Sequence, residues 1–222
     1  EYCLRRGPAL SARLPAAAAA LPDVRVIRAH GATRYVRLLQ DIDVDGVRGT
    51  ETSLIDLATG RYAERVSAGP LSSGDGFDGT RTWGSDATGM AIVEGNAQAR
   101  LDGLAWAHFL GRRGPEHPVV TVMRSPRGDV VVRLRYPALS APIDVTLDRR
   151  TGMVRDIEDD SGGEATRARY SDYRRVRDVV VPFQHEVGTR FGVARERVRV
   201  VEPLATVPAG AFDPPPPPDD VV

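Results

Sequence analysis

Ile143-Asp144-Val145-Thr146-Leu147-Asp148-Arg149-Arg150-Thr151-Gly152 is the stretch whose reading decides the fold. Ile143, Val145 and Leu147 alternate with Asp144, Thr146 and Asp148, a period of two that gives a strand one apolar and one polar face. The alternation stops at an Asp-x-x-Thr-Gly turn. There the Asp carboxylate can cap the turn and the Gly can take a positive φ. Further out, Asp56-Leu57-Ala58-Thr59-Gly60 repeats the pattern, again with strand-like residues on both sides. Val132, Leu134 and Tyr136 alternate with Arg133 and Arg135 after the apolar Val130 and Val131, and Val198 and Val200 alternate with Arg197 and Arg199. Turn signals at Asp45-Gly46, Arg127-Gly128-Asp129 and Ser161-Gly162-Gly163 separate these runs. Two matched hairpins favour a meandering antiparallel sheet over a parallel one.

Two segments read as helix. One covers residues 22–29 and closes near Gly31. The main one follows Asn96, a good N-cap, and ends before Gly111, a good C-cap. Leu101, Leu104, Ala105, Trp106, Phe109 and Leu110 make it apolar around most of its circumference. Such a helix is buried on more than one side and can lie in the concavity of a curved sheet. The expected class is therefore α+β, a curved antiparallel sheet with one main helix against its concave face. Trp83, Leu101, Leu104, Trp106 and Phe109 are the candidate lining of an apolar cavity; for the two tryptophans plain core packing is the default and cavity lining the alternative.

Composition removes several functions. With 30 basic and 30 acidic residues the formal net charge is zero, which argues against a generic nucleic-acid or anionic-membrane binder. Aromatic residues are 6%, too sparse for stacking platforms along single-stranded nucleic acid. Cys3 is the single cysteine, so no intrachain disulfide and no four-cysteine zinc site can form. All 30 basic residues are arginine, a pattern that GC-rich coding explains. It excludes a lysine Schiff base, a lysine general base and a P-loop lysine.

Individual motifs yield no catalytic set. Gly74-Asp75-Gly76-Phe77-Asp78-Gly79 matches G-x-G-x-x-G, but strand-like Thr80-Arg81-Thr82-Trp83 follows where a dinucleotide site needs a helix. Asp75 and Asp78 would also repel phosphate, so a loop and turn is the expectation. Asp160-Ser161-Gly162 matches the aspartic-protease core motif, yet Glu158 and Asp159 precede it instead of a buried apolar strand. His30, His108, His117 and His185 show no metal-ligand spacing, and no G-x-S-x-G elbow occurs. The chain is expected to be non-catalytic, with no cofactor and no metal.

The ends suggest tethers. Residues 1–21 read as an Ala-rich leader, helical or disordered, and residues 22–213 as a single domain. Residues 214–222, with the proline run 214–218, read as an extended linker towards a further C-terminal region.

The order of short motifs carries a resemblance. His30-Gly31, Val47-Arg48-Gly49-Thr50, Gly76-Phe77-Asp78-Gly79-Thr80-Arg81-Thr82-Trp83, Ser171-Asp172-Tyr173-Arg174, Val179-Val180-Val181-Pro182-Phe183 and Pro208-Ala209-Gly210-Ala211-Phe212-Asp213-Pro214 follow one another. Together they resemble the outer-membrane lipoprotein-sorting group with the LolA/LolB-like fold. More narrowly, they look like the domain preceding a retropepsin-like aspartyl protease in some bacterial envelope proteins. The resemblance spans roughly residues 22–214. It implies a half-barrel with a helix on its concave face, and binding of a lipid or acylated protein there. It also implies a periplasmic or envelope location, with a protein substrate and the C-terminal domain of the parent protein as partners. The runner-up function is a structural or interaction domain accessory to that protease.

Overall fold

The computed structural model describes residues 24–69, 72–94, 118–124, 129–137, 139, 141–160, 166–189 and 192–216. Fourteen strands form one sheet: β1 (Arg28–Ala29), β2 (Tyr35–Val44), β3 (Val47–Asp56), β4 (Tyr62–Ser67), β5 (Ser73–Phe77), β6 (Thr82–Ser85), β7 (Ala91–Glu94), β8 (Val119–Arg124), β9 (Val130–Arg135), β10 (Ile143–Leu147), β11 (Val154–Asp159), β12 (Thr166–Val176), β13 (Val179–Thr189) and β14 (Gly192–Leu204). Their order is β7-β6-β5-β4-β3-β2-β14-β13-β12-β11-β10-β9-β8, with β1 beside β13. All these pairings are antiparallel. Two meanders, β2–β7 and β8–β14, thus join along a single seam where β14 runs against β2, from Ala194↔Val44 to Leu204↔Tyr35.

Both Asp-x-x-Thr-Gly stretches are the tight connections expected of them. Asp56 Oδ1 accepts from the amides of Ala58 and Thr59, and Asp148 Oδ1 from those of Arg150 and Thr151. In each, the Gly amide donates back to the Asp carbonyl at 2.7 Å. Gly60 and Gly152 sit at φ 72° and 68°, where a side chain would be strained.

The α+β class is corrected: no α-helix is present among the described residues, which form an open curved antiparallel sheet. The main expected helix, with Leu101, Leu104, Trp106 and Phe109, falls outside the described residues. The helix over 22–29 is wrong where it can be judged. Val24, Val26 and Ile27 are buried in an irregular segment, and Arg28 and Ala29 pair with Val180 and Val179. Three β-branched residues in four positions lose rotamer freedom in a helix and fit the pleated edge better. The stretch expected as a glycine loop is also different, because Gly74, Gly76 and Phe77 belong to β5.

Alternation divides the side chains between two faces. The inner face carries the main core, including Val36, Leu38, Ile55, Leu134, Ile143, Val145, Ile157 and Val181. The outer face carries arginine–carboxylate pairs between neighbouring strands, such as Arg133 with Asp144 and Arg195 with Glu186. It also carries a smaller cluster of Tyr35, Ala63, Trp83 and Phe212. Gly76 stands opposite Trp83 on β6, and a Cβ added to it would lie 2.6 Å from the indole. A glycine is needed there because the ring lies on the backbone itself.

Candidate functional site

The inner face leaves a cavity of about 300 Å³. Val26, Ile27, Leu38, Ile55, Pro182 and Val187 give it an apolar floor. One polar row crosses that floor, and the register of the sheet builds it strand by strand. Asp75 of β5 stands opposite Glu64 of β4, and Glu64 opposite Ser53 of β3. Glu51, two residues before Ser53, faces Gln40 of β2. Across the seam, Glu196 of β14 faces His185 of β13, and His185 faces Tyr170 of β12. All eight line the cavity.

Hydrogen bonds tie the middle of the row together. Glu51 Oε1 accepts from Gln40 Nε2 at 2.6 Å and from Ser53 Oγ at 2.7 Å. Gln40 Nε2 also reaches Glu196 Oε2 at 3.4 Å, and His185 Nδ1 lies 2.7 Å from that same oxygen. The His185 ring stacks on Tyr170 with centroids 4.5 Å apart. Its Nε2 is buried without a hydrogen-bond partner among the described residues. Glu64, by contrast, has no hydrogen-bond donor among the described residues, and its cross-strand neighbour is another carboxylate.

This placement raises the carboxyl pKa values. Burial, then the Glu196 charge, pushes Glu51 up to about 7 against the opposing Ser53 and Gln40 hydrogen bonds. Burial, then the charges of Glu51 and Asp75, pushes Glu64 well above the carboxylate range. Asp75 also rises, to about 6, through burial offset by the Tyr62 hydroxyl. Asp75 is exposed at the cavity mouth, so water limits its rise, whereas Glu51 at 7% exposure has no such relief.

A carboxyl whose pKa rises on folding binds its proton more tightly in the folded chain. The stability it lends is complete below the unfolded values, 3.8 for Asp and 4.5 for Glu, and is lost as pH climbs towards 7. The urea midpoint is therefore expected to fall between about pH 5 and pH 7.5, and Glu64→Gln to flatten that fall. An unchanged slope in the variant would exclude Glu64 as a contributor. Asp56, Asp78 and Asp148 have the opposite sign. Burial pushes Asp56 and Asp78 up, but hydrogen bonds outweigh it, and the Thr151 hydroxyl leads at Asp148; all three lie below the usual range. Their contribution is lost below about pH 4, which gives the profile an acid limb.

Of the residues expected to line a cavity, Leu101, Leu104, Trp106 and Phe109 lie outside the described residues. Trp83 is 3% exposed but stands on the outer face, paired with Gly76, while Glu64 and Asp75 point inward. It packs with Tyr35, Ala63 and Phe212, and its Nε1–H donates to the Phe212 carbonyl at 2.9 Å. Sequence reading missed the polar row. Its signal was a set of charged residues in the inward phase of otherwise apolar alternations, such as Glu64 two positions after Tyr62. His185 belongs to the row, while His30 is exposed and His108 and His117 lie outside the described residues. Asp160 is exposed just beyond β11, and Ser161 and Gly162 lie outside the described residues. Among the described residues no group of His, Cys, Asp and Glu has the geometry to hold a metal ion.

Fold and cavity together define an open, curved antiparallel sheet with a hollow on its inner face. Solved structures match this fold. A LolA superfamily protein from Nitrosomonas europaea is 13% identical with a TM-score of 0.53, over 80% of this chain and 88% of its own. A DUF1329 family protein from Desulfovibrio piger is 7% identical with a TM-score of 0.52, over 94% of this chain and 98% of its own. The fold is LolA-like. No family model matches the sequence, and no curated protein matches it.

Proposed function

We propose that this protein is a non-catalytic binding module of the bacterial envelope, taking one acyl or alkyl chain of a lipid or acylated protein into the inner-face cavity. The observation that carries the reading is the hollow itself. The described side chains do not fill the inner face between β2–β5 and β12–β14, and what remains among them is an apolar floor of Leu38, Ile55 and Val187 around about 300 Å³. That volume lies at the small end of ligand pockets, which run from about 300 to 1,000 Å³. The LolA-like fold and the order of the sequence motifs support the ligand class and the location. The relation to a retropepsin-like domain rests on the motif order, and the residues after Val222 in the parent gene test it.

The experiment is uptake of an environment-sensitive apolar fluorophore, with native mass spectrometry of the purified protein for co-purified lipid. Uptake is expected, and Val187→Phe, which fills the cavity from β13, should weaken it by about tenfold or more. A folded protein that takes up no fluorophore and carries no lipid would instead be the structural or interaction domain of the alternative reading.

A further inference from the structure

We infer that the chain entering this cavity carries a protonated amine, and that the row Asp75–Glu64–Glu51–Glu196 binds that ammonium group. The inference rests on the apolar-ligand reading above and names the ligand's polar end.

Charge asymmetry is the first support. The sequence holds 30 arginines, yet none lines the cavity among the described residues, while four carboxylates do. Elsewhere on the sheet the carboxylates are matched. Asp144 has Arg133, Glu186 has Arg195, and Asp156 has Arg155 and Arg169. In the inner row no arginine lines the cavity among the described residues, and the ionisable partner present is His185, on Glu196.

The second support is the state of each group. Glu64 stands directly opposite Asp75 with no donor of its own. Like charges at facing positions of an antiparallel pair destabilise the sheet. An unpaired carboxylate beside an apolar floor adds a desolvation cost. Without a cation the cost is met by retained protons, as the raised Glu64 and Asp75 values record; a cation seated between the two replaces those protons and relieves both. His185 agrees: its Nδ1 is engaged by Glu196, and its Nε2 is buried with no hydrogen-bond partner among the described residues. Once its carboxyls are ionised the row is rich in acceptors, and its donors are already engaged: Gln40 and Ser53 on Glu51, Gln40 and His185 Nδ1 on Glu196, and the Tyr62 hydroxyl on Asp75. An ammonium supplies three N–H donors and a charge; an alcohol supplies one donor and no charge; a carboxylate supplies neither and is repelled. The apolar floor lies on either side of the row, so an alkyl chain and its ammonium are accommodated together.

The test is competition against the fluorophore at pH 7.5 with decylammonium, decanol, decanoate and spermidine. Decylammonium is expected to displace it at a concentration at least about tenfold below decanol, the size of a charge-assisted hydrogen bond, with decanoate weakest. Spermidine, which lacks the chain, should not displace it. The double variant Glu64→Gln, Asp75→Asn should bring decylammonium to the level of decanol and leave decanol unchanged. A urea midpoint no lower than that of the parent shows that the variant is folded, and Glu64→Gln alone is the second variant. Binding of decylammonium should also release protons, seen as a calorimetric heat that varies with the buffer's ionisation enthalpy. Decanol or decanoate binding as tightly as decylammonium, or an undiminished preference in the folded variant, overturns the ammonium assignment and leaves the apolar cavity standing. Displacement by spermidine overturns the amphiphile in favour of a free polyamine. Failure of the fluorophore itself to bind removes both readings.

Discussion

Trp83→Ala is expected to lower the free energy of unfolding by about 3–5 kcal/mol, the range for truncating a large buried aromatic. The indole is 3% exposed and lies on the bare backbone of Gly76, so its removal leaves a void that no neighbouring Cβ can fill. It also fastens the chain after β14. Its Nε1–H donates to the carbonyl of Phe212, whose ring is offset from Tyr35 at 6.3 Å and lies under the guanidinium of Arg61 at 4.6 Å. Losing the anchor therefore loosens the chain around Phe212 as well as the outer cluster. Urea unfolding measures the loss, and limited proteolysis after Leu204 reports the released segment. Trp83→Phe keeps most of the ring volume and should cost less, with about 1 kcal/mol attributable to the hydrogen bond. The variant also separates two roles. Because Trp83 faces away from the cavity, Trp83→Phe should take up the apolar fluorophore like the parent. A folded Trp83→Phe protein with uptake abolished would show that the ring acts on the ligand.

Asp56→Ala is expected to be comparably damaging, at about 3–5 kcal/mol, because it strips the partner from several donors at once. The carboxylate is fully buried at the end of β3. It accepts from the Ala58 amide at 3.0 Å, the Thr59 amide at 3.3 Å, Arg61 Nη2 at 2.9 Å and Arg34 Nη2 at 3.2 Å. Arg34 is half exposed and its share is screened by water; Arg61 and the two amides carry most of the effect. Asp56→Asn retains an acceptor for the turn amides but not the charge facing Arg61, so it should fall between alanine and the parent. The ordering Asp, Asn, Ala in urea midpoint checks this. An alanine variant as stable as the parent would mean that water satisfies the turn.

The hairpins were legible because their signals are local. A strand that ends in Asp-x-x-Thr-Gly specifies its own turn through one carboxylate and one glycine, and both copies fold that way. The motif order carried the LolA-like fold, but the helix it placed on the concave face is absent among the described residues, which form an open curved antiparallel sheet. The helix over 22–29 misled because Val24, Val26 and Ile27 are apolar at spacings that a helix and a buried irregular edge share. Trp83 packs in a core cluster, the default reading of the sequence, but which face it covers was not legible: a buried aromatic beside glycines has the same appearance on either face of a sheet, and only the pairing Gly76↔Trp83 shows it. The G-x-G pattern likewise records a ring pressed onto a strand.

By itself the sequence determined the antiparallel strands, their tight turns and the absence of lysine chemistry, because each depends on residues within a few positions of one another. Tertiary structure alone decided that Asp75, Glu64, Glu51, Glu196 and His185 form one row, although Glu51 and Glu196 are far apart in the sequence. Strand register does this. The pairing of β14 with β2 closes the seam between the two meanders, and that pairing sets which residue of one half faces which residue of the other. Slipping the seam by one residue would turn Glu196 to the outer face, beside arginines, and the row would be broken.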